Sequence, residues 1–499
     1  MKPDQSMKNK SPGLHPFLRG WMGLGLAINA TFGMAADLPP AALQALRQAN
    51  VPPSAISVQV TPLNSATPRL AHRAHVATNP ASVMKLITTY AGLSLLGPDF
   101  TWRNRVYADG PIKDGVLQGN LILRGSGDPK LVIERLQDLM AQLSALGLRD
   151  IRGDIVLDRS VFEITPRTEA FDDEPLRPYN VSPDGLLLNF KALIYTFTPD
   201  AATGQVSVRV EPPLAGFDAP RTVPMGNGPC QDWRSQLRAD FSQAHQVRFA
   251  GTYPASCGER PWPVAYPAPE VYGAKLIQAV WLATGNRLGG QVRYGSLPAK
   301  ARLLLEAPSL PLGEVIADIN KFSNNVMAQQ LFLTLSSDMG APGRFEASRL
   351  RVLQWWRQQF PGQAEPVLDN GSGLSRTERS NAQALTALLQ AASSGPHAAA
   401  FQNSLSLAGV DGTAARLRDR NPNSPVIGQA WLKTGSLRDV ASVAGYVQGQ
   451  SGQRYAVVAI INHPNANQAR PALDQLLEWT VRDTNNTDSP RTVAKRQRQ

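Results

Sequence analysis

Between Thr101 and Pro269 short apolar runs alternate with Gly, Pro and Asp turns, while helical periodicity dominates on both sides. Strand-like pieces in this stretch include 119–124, 154–158, 206–210 and 247–253, with a helix over 130–146. Upstream, 37–49 reads as a helix with Pro in its first turn, and 54–62 alternates like a strand. A further helix opens at Thr78-Asn79-Pro80, where Asn79 suits the cap and Pro80 the first turn, and stops at Gly97-Pro98. Downstream, helical patterns return at 270–284, 312–319 and 382–392, with a strand at 301–306 between them. The end is sheet-like, with strands at 430–435, 441–447 and 455–461. A closing helix, 468–481, offers Leu473, Leu476, Leu477 and Trp479 to that sheet. This order predicts one α/β domain, 37–100 and 270–483, interrupted by a β-rich insertion over 101–269.

The net charge of +11 divides unevenly along the 499 residues. Residues 1–36 carry Lys2, Lys8, Lys10 and Arg19 before a short apolar run that ends in Gly33, Ala35 and Ala36, the pattern of a cleaved export signal. Residues 484–499 carry Arg491, Lys495, Arg496 and Arg498 without apolar periodicity, and read as a disordered basic tail, first as a plain solvated end and second as a weak attachment to an anionic membrane or wall. The body keeps a mild positive excess with no clustered basic run, so nucleic acid is not an expected partner. No later segment reaches the ~18 apolar residues of a membrane span. Cys230 and Cys257 lie within the insertion, and export makes a disulfide between them the favoured state over two free thiols.

No His-Glu-x-x-His or Cys-rich cluster occurs, and His72 and His75 read as a surface pair, so no metal and no cofactor is expected. Gly125-Ser126-Gly127 and Gly371-Ser372-Gly373 read as turns rather than nucleophile elbows. Three other motifs carry chemistry. Ser82-Val83-Met84-Lys85 places Ser82 and Lys85 on one helix face, so a buried Lys85 with a lowered pKa can take the Ser82 proton. Ser323-Asn324-Asn325 puts a hydroxyl and an amide two positions apart at a junction between helices. Lys433-Thr434-Gly435 lies on a strand, where Lys433 and Thr434 suit a substrate carboxylate and Gly435 allows close approach. A lone Ser-x-x-Lys arises by chance about once in a chain of this length. The specific signal is the ordered set of three, each in a suitable local structure.

On these motifs the chain resembles the D-alanyl-D-alanine carboxypeptidase/endopeptidase family of the DacB, penicillin-binding protein 4 type, a low-molecular-mass class C group. Further support comes from the 238 positions between Lys85 and Ser323, from Arg124-Gly125-Ser126-Gly127-Asp128-Pro129, and from Asn370-Gly371-Ser372-Gly373-Leu374-Ser375-Arg376. Gly409-Val410-Asp411-Gly412-Thr413, Lys433-Thr434-Gly435-Ser436-Leu437 and Ala444-Gly445-Tyr446-Val447 complete the likeness, with Ser436 standing where Thr is common. The resemblance implies an α/β fold of the penicillin-binding-protein/β-lactamase-like transpeptidase kind, an antiparallel sheet flanked by helices, with one or two β-rich domains inserted in a split catalytic domain. It implies a periplasmic serine D,D-peptidase acting on peptidoglycan stem peptides, at D-Ala-D-Ala ends or D-Ala-meso-diaminopimelate cross-links, and acylated by β-lactam inhibitors. It also implies roles: Ser82 as nucleophile, Lys85 as base, Ser323 as proton relay, and Asn325 orienting Lys85 and the substrate amide. Lys433 and Thr434 would hold the carboxylate, and the N–H groups of Ser82 and Ser436 would form the oxyanion hole.

A β-lactamase or esterase on the same scaffold is the second reading. The long insertion speaks against it, and rapid turnover of penicillin would distinguish it. A catalytically dead binding protein is the third, opposed by intact Ser82, Lys85, Ser323 and Lys433.

Overall fold

The computed structural model describes residues 37–165 and 170–484. The leader expected over 1–36 and all but the first residue of the expected tail lie outside the described residues. Among the described residues no helix is long and apolar enough to cross a membrane.

A six-stranded antiparallel sheet joins the two ends of the chain. Its strands run in the order Ser406–Leu407, Ala430–Leu437, Val440–Gln448, Arg454–Asn462, Ile56–Pro62 and Leu70–His72. Val440–Gln448 and Arg454–Asn462 are central and buried on both faces, which explains their near-continuous apolar sequences. Ile56 pairs with Ile461, so the first strand is seated by the last one. On one face the helices Pro40–Gln48 and Arg470–Val481 close a core with Val58, Val457, Ala459, Leu473 and Leu476. On the other face lies the helix Lys85–Leu96, with Leu86, Ile87, Leu331, Phe332, Leu385 and Trp356 in its core. Lys85 to Leu93 are all buried, as expected of a helix apolar on nearly every side. This is the antiparallel sheet flanked by helices that the family resemblance implies.

The β-rich part is built from three larger sheets. Val292–Tyr294, Ile155–Asp158, Leu121–Arg124, Arg103–Ala108 and Arg302–Pro308 form one five-stranded sheet. Tyr253–Pro254, Thr222–Gly226, Gln205–Glu211, Ala192–Asp200 and Arg260–Ala265 form another, and a four-stranded sheet contains Asp150–Ile151. Cys230 and Cys257 are joined in a disulfide beside Trp233 and Tyr253 in the same apolar cluster.

Packing extends this part further along the chain than the change of texture indicates. The helix Pro269–Ala283 buries Tyr272, Leu276, Ile277 and Trp281 in the β-rich core. Arg302–Pro308 pairs antiparallel with Arg103–Ala108. The sequence pattern places both segments in the α/β domain, because helical periodicity resumes at 270. Periodicity reports which face is apolar but not which core receives it.

Candidate active site

The loop before the Lys85 helix is shaped by backbone as much as by side chains. Asn79 Oδ1 accepts from the Ala81 N–H at 2.9 Å, and Ala81 takes the left-handed conformation at φ 47°. A single 3-10 turn, Ala81–Met84, then carries Ser82, and the α-helix proper begins only at Lys85. Ser442 Oγ donates to Pro80 O at 2.7 Å, fixing this turn to the central sheet. A side-chain carbon at Gly435 would lie 2.2 Å from Ser442 Oγ, 2.8 Å from Pro80 O and 3.1 Å from Ser82 N. Only glycine therefore lets the strand pass so near the serine.

Lys85 has no exposed surface. Its Nζ lies 3.0 Å from Ser82 Oγ, 2.6 Å from Asn325 Oδ1 and 2.5 Å from Ser372 O. The Asn325 orientation is consistent with its Nδ2 donating to Tyr179 O at 3.2 Å. Burial pushes the Lys85 pKa well below its ordinary value, and repulsion from Lys433 adds to this, while Glu378 opposes it. A neutral amine has two hydrogens and one lone pair. In that neutral form Asn325 Oδ1 and Ser372 O would take the two hydrogens, and the lone pair would be left for the Ser82 hydroxyl.

Ser323 occupies the turn between the helices Leu312–Lys321 and Asn325–Ser337, at φ 57°. Asn324 caps the second helix by accepting from Met327 N at 3.1 Å, which sets Asn325 as its first residue. Lys433 Nζ donates to Ser323 Oγ at 2.9 Å and to Thr434 O at 2.8 Å. Lys433 too has no exposed surface, and burial lowers its pKa to about 7. Thr434 is half-buried, and its Oγ1 donates to Thr413 Oγ1 at 2.7 Å. Ser436 is exposed, and its Oγ donates to Asn467 Oδ1 at 3.1 Å.

The three motifs thus meet. Ser82, Ser323, Thr434 and Ser436 line one cavity of about 280 Å³. Ser323 and Asn325 also border a second cavity, of about 650 Å³, with Tyr179, Phe190 and Ile194. Among the described residues no group of His, Cys, Asp or Glu is placed to hold a metal ion.

Three contributors were not singled out from sequence as site residues. The Ser372 carbonyl belongs to a segment read as a turn, and a carbonyl oxygen leaves no side-chain signature. Thr413 ends Gly409-Val410-Asp411-Gly412-Thr413, a stretch that carries family likeness but no chemical signature of its own. Glu378 left no signal at all. It is fully buried and accepts backbone N–H bonds from Asp369 and Asn370 at 3.1 Å and from Gly371 and Gly373 at 2.8 Å. Burial raises its pKa, and these donors pull against that rise. Glu378 thereby gathers the loop whose Ser372 O reaches Lys85.

Three comparisons bear on this geometry. The model of the D-Ala-D-Ala carboxypeptidase 3 (S13) family matches residues 41–482. The chain is similar to a D-alanyl-D-alanine carboxypeptidase of Actinomadura sp. (strain R39), 28% identical over 418 residues, covering 80% of this chain and 76% of that one. It is similar to the D-alanyl-D-alanine carboxypeptidase DacB of Haemophilus influenzae, 26% identical over 392 residues, covering 77% and 80%. The fold is similar to that of penicillin binding protein 4 (dacB) from Haemophilus influenzae, with a TM-score of 0.68 at 24% identity, over 85% of this chain and 96% of that one. A match of this extent, over the segments that supply every group around Lys85, makes the chain a serine hydrolase belonging to the D-Ala-D-Ala carboxypeptidase 3 (S13) family.

Proposed function

We propose that Ser82 is the nucleophile of a peptidoglycan D,D-peptidase and that Lys85 is its general base. The observation that carries this reading is the buried Lys85 amine, with two acceptors besides the Ser82 hydroxyl at 3.0 Å. Ser82 Oγ attacks the carbonyl carbon of the penultimate D-Ala while its proton passes to Lys85 Nζ. The negative oxygen faces the N–H groups of Ser82 and Ser436, and loss of one such donor typically costs about 100–1,000-fold in rate. The C–N bond then breaks, and the leaving nitrogen receives a proton through Ser323, which is hydrogen-bonded to Lys433. Water attacks the ester and frees Ser82. β-Lactams acylate the same oxygen, and their ring nitrogen takes the place of the leaving group.

Thr434, with Thr413 beside it, meets the substrate carboxylate, and the buried Lys433 supplies charge from beneath the strand. The split of the chain into a catalytic part and an inserted part belongs to the same proposal, as does export to the periplasm, which the disulfide Cys230–Cys257 supports. Ser82→Ala should abolish labelling by fluorescent penicillin while the far-UV spectrum is unchanged, and continued labelling would overturn the assignment. Digestion of cross-linked muropeptides decides between the two activities: free D-alanine marks the carboxypeptidase, loss of dimers the endopeptidase. Slow release of bound penicillin separates either one from a β-lactamase.

A further inference from the structure

The cavity that holds Ser82 and Thr434 continues to a group of arginines. Arg416, Arg420 and Arg470 share its lining with the serine. One carboxylate stands among them, Asp474, which Arg420 holds in a bidentate pair with both contacts at 2.8 Å. Among the described residues Arg416 and Arg470 are in no ion pair. Arg470 donates instead to Asn467 Oδ1 at 3.0 Å, the same oxygen that accepts from Ser436 Oγ at 3.1 Å. Asn467 is in turn anchored by donating to Leu437 O at 2.7 Å. Arg470 is therefore fixed to the strand that borders Ser82. Burial lowers its pKa, and repulsion from Arg420 and Arg416 adds to this, while Asp474 opposes it. Three guanidiniums set against Asp474 in the lining and Asp419 near Arg420 still leave an excess of positive charge facing a cavity, which an anionic ligand would neutralise.

We propose that Arg416, Arg420 and Arg470 form a subsite for a second carboxylate on the leaving fragment, beyond the one that Thr434 meets. The proposal rests on the reading that Ser82 is the nucleophile, since that choice decides which half of the substrate leaves through this cavity. Free D-alanine has a single carboxylate. A peptide strand released from a cross-link carries more than one, so the subsite favours cross-link cleavage over trimming of D-alanine.

The test compares N-acyl-D-Ala-D-Glu with N-acyl-D-Ala-D-Gln, leaving groups of one size that differ in charge. Release is followed by chromatography. The native protein should favour D-Glu by about tenfold in kcat/KM, within the usual range for a hydrogen bond to a charged group. The preference should shrink as salt is raised from 0.05 to 0.5 M, by screening. In the double variant Arg416→Gln, Arg470→Gln the ratio should fall to about one, and Arg470→Lys should keep part of it. Uptake of fluorescent penicillin by each variant reports an intact Ser82 site. A ratio near one in the native protein, or one that survives in the double variant, overturns the subsite. Penicillin labelling that persists in Ser82→Ala overturns the reading beneath it instead, so the two failures are told apart.

Discussion

Lys433 donates to Ser323 Oγ across 2.9 Å, which ties the strand Ala430–Leu437 to the turn between the helices Leu312–Lys321 and Asn325–Ser337. Lys433 has no carboxylate partner of its own among the described residues, and burial brings its pKa to about 7. The proposed function asks the two lysines for opposite states: Lys85 neutral to accept a proton, Lys433 charged to face an anion.

A bell-shaped pH profile follows from that opposition. For carboxylate-bearing peptides, kcat/KM should fall at low pH as Lys85 gains a proton. It should fall again as pH rises through about 7 and Lys433 loses its charge. A substrate with a C-terminal amide should lack the alkaline fall. The apparent values belong to the coupled pair. Profiles of both substrates from pH 5 to 10 check this, and an alkaline limb shared by the amide would exclude Lys433 as its source.

Glu378→Gln should impair acylation although Glu378 never faces the cavity. The new amide would set its N–H₂ against a backbone N–H that the carboxylate now accepts, leaving about 1–3 kcal/mol of buried polar groups unpaired. The loop should relax and Ser372 O should leave Lys85. Removing the negative charge should also move the acid limb of penicillin acylation to lower pH, because Glu378 holds the Lys85 pKa up. Stopped-flow acylation against pH gives both readouts, and a slower rate with an unmoved limb would mean the effect is purely one of folding.

Ser323→Gly should separate stability from activity. At φ 57° a non-glycine residue is strained, and glycine relieves part of about 1–3 kcal/mol. The same change deletes the relay hydroxyl, so peptide hydrolysis should drop by about 100-fold or more. Thermal melting alongside turnover checks the pair, and an unaltered kcat would remove Ser323 from the reaction.

Gly435→Ala should damage both. The added carbon meets Ser442 Oγ and Pro80 O at 2.2 and 2.8 Å, and overpacking of this kind costs about 1–3 kcal/mol. Because the strain falls on the turn that carries Ser82, penicillin acylation should slow more than the loss of stability accounts for. Acylation measured well below the melting temperature tests this.

The sheet and its helices were legible because each obeys a local rule. Alternation marked Ile56–Pro62, and an unbroken apolar run marked Arg454–Asn462 as a buried strand. The meeting of Ser82 with Lys85 was legible because three residues of separation bring side chains to one face, here within 3.0 Å. The approach of Asn325 to Lys85 rested on family likeness, since 240 positions of chain lie between them and no periodicity spans that distance. Glu378 was silent because its partners are backbone N–H groups, which every sequence possesses. Helix Pro269–Ala283 is legible as a helix, but its packing in the β-rich cluster is not, since an amphipathic face does not name its neighbour.

The pairing of Ile56 with Ile461 sets an order of assembly. A ribosome delivers Ser82 early, yet the sheet against which its turn is braced lacks its central strands until residues 440–462 emerge. Contacts between such distant segments are slow to form. The β-rich excursion eases that search, because its paired strands Arg103–Ala108 and Arg302–Pro308 bring the flanking chain back to nearly where it left. On the proposed role of Ser82, a nascent or truncated chain therefore holds a serine without a reaction, and reactivity begins only when the last hairpin docks.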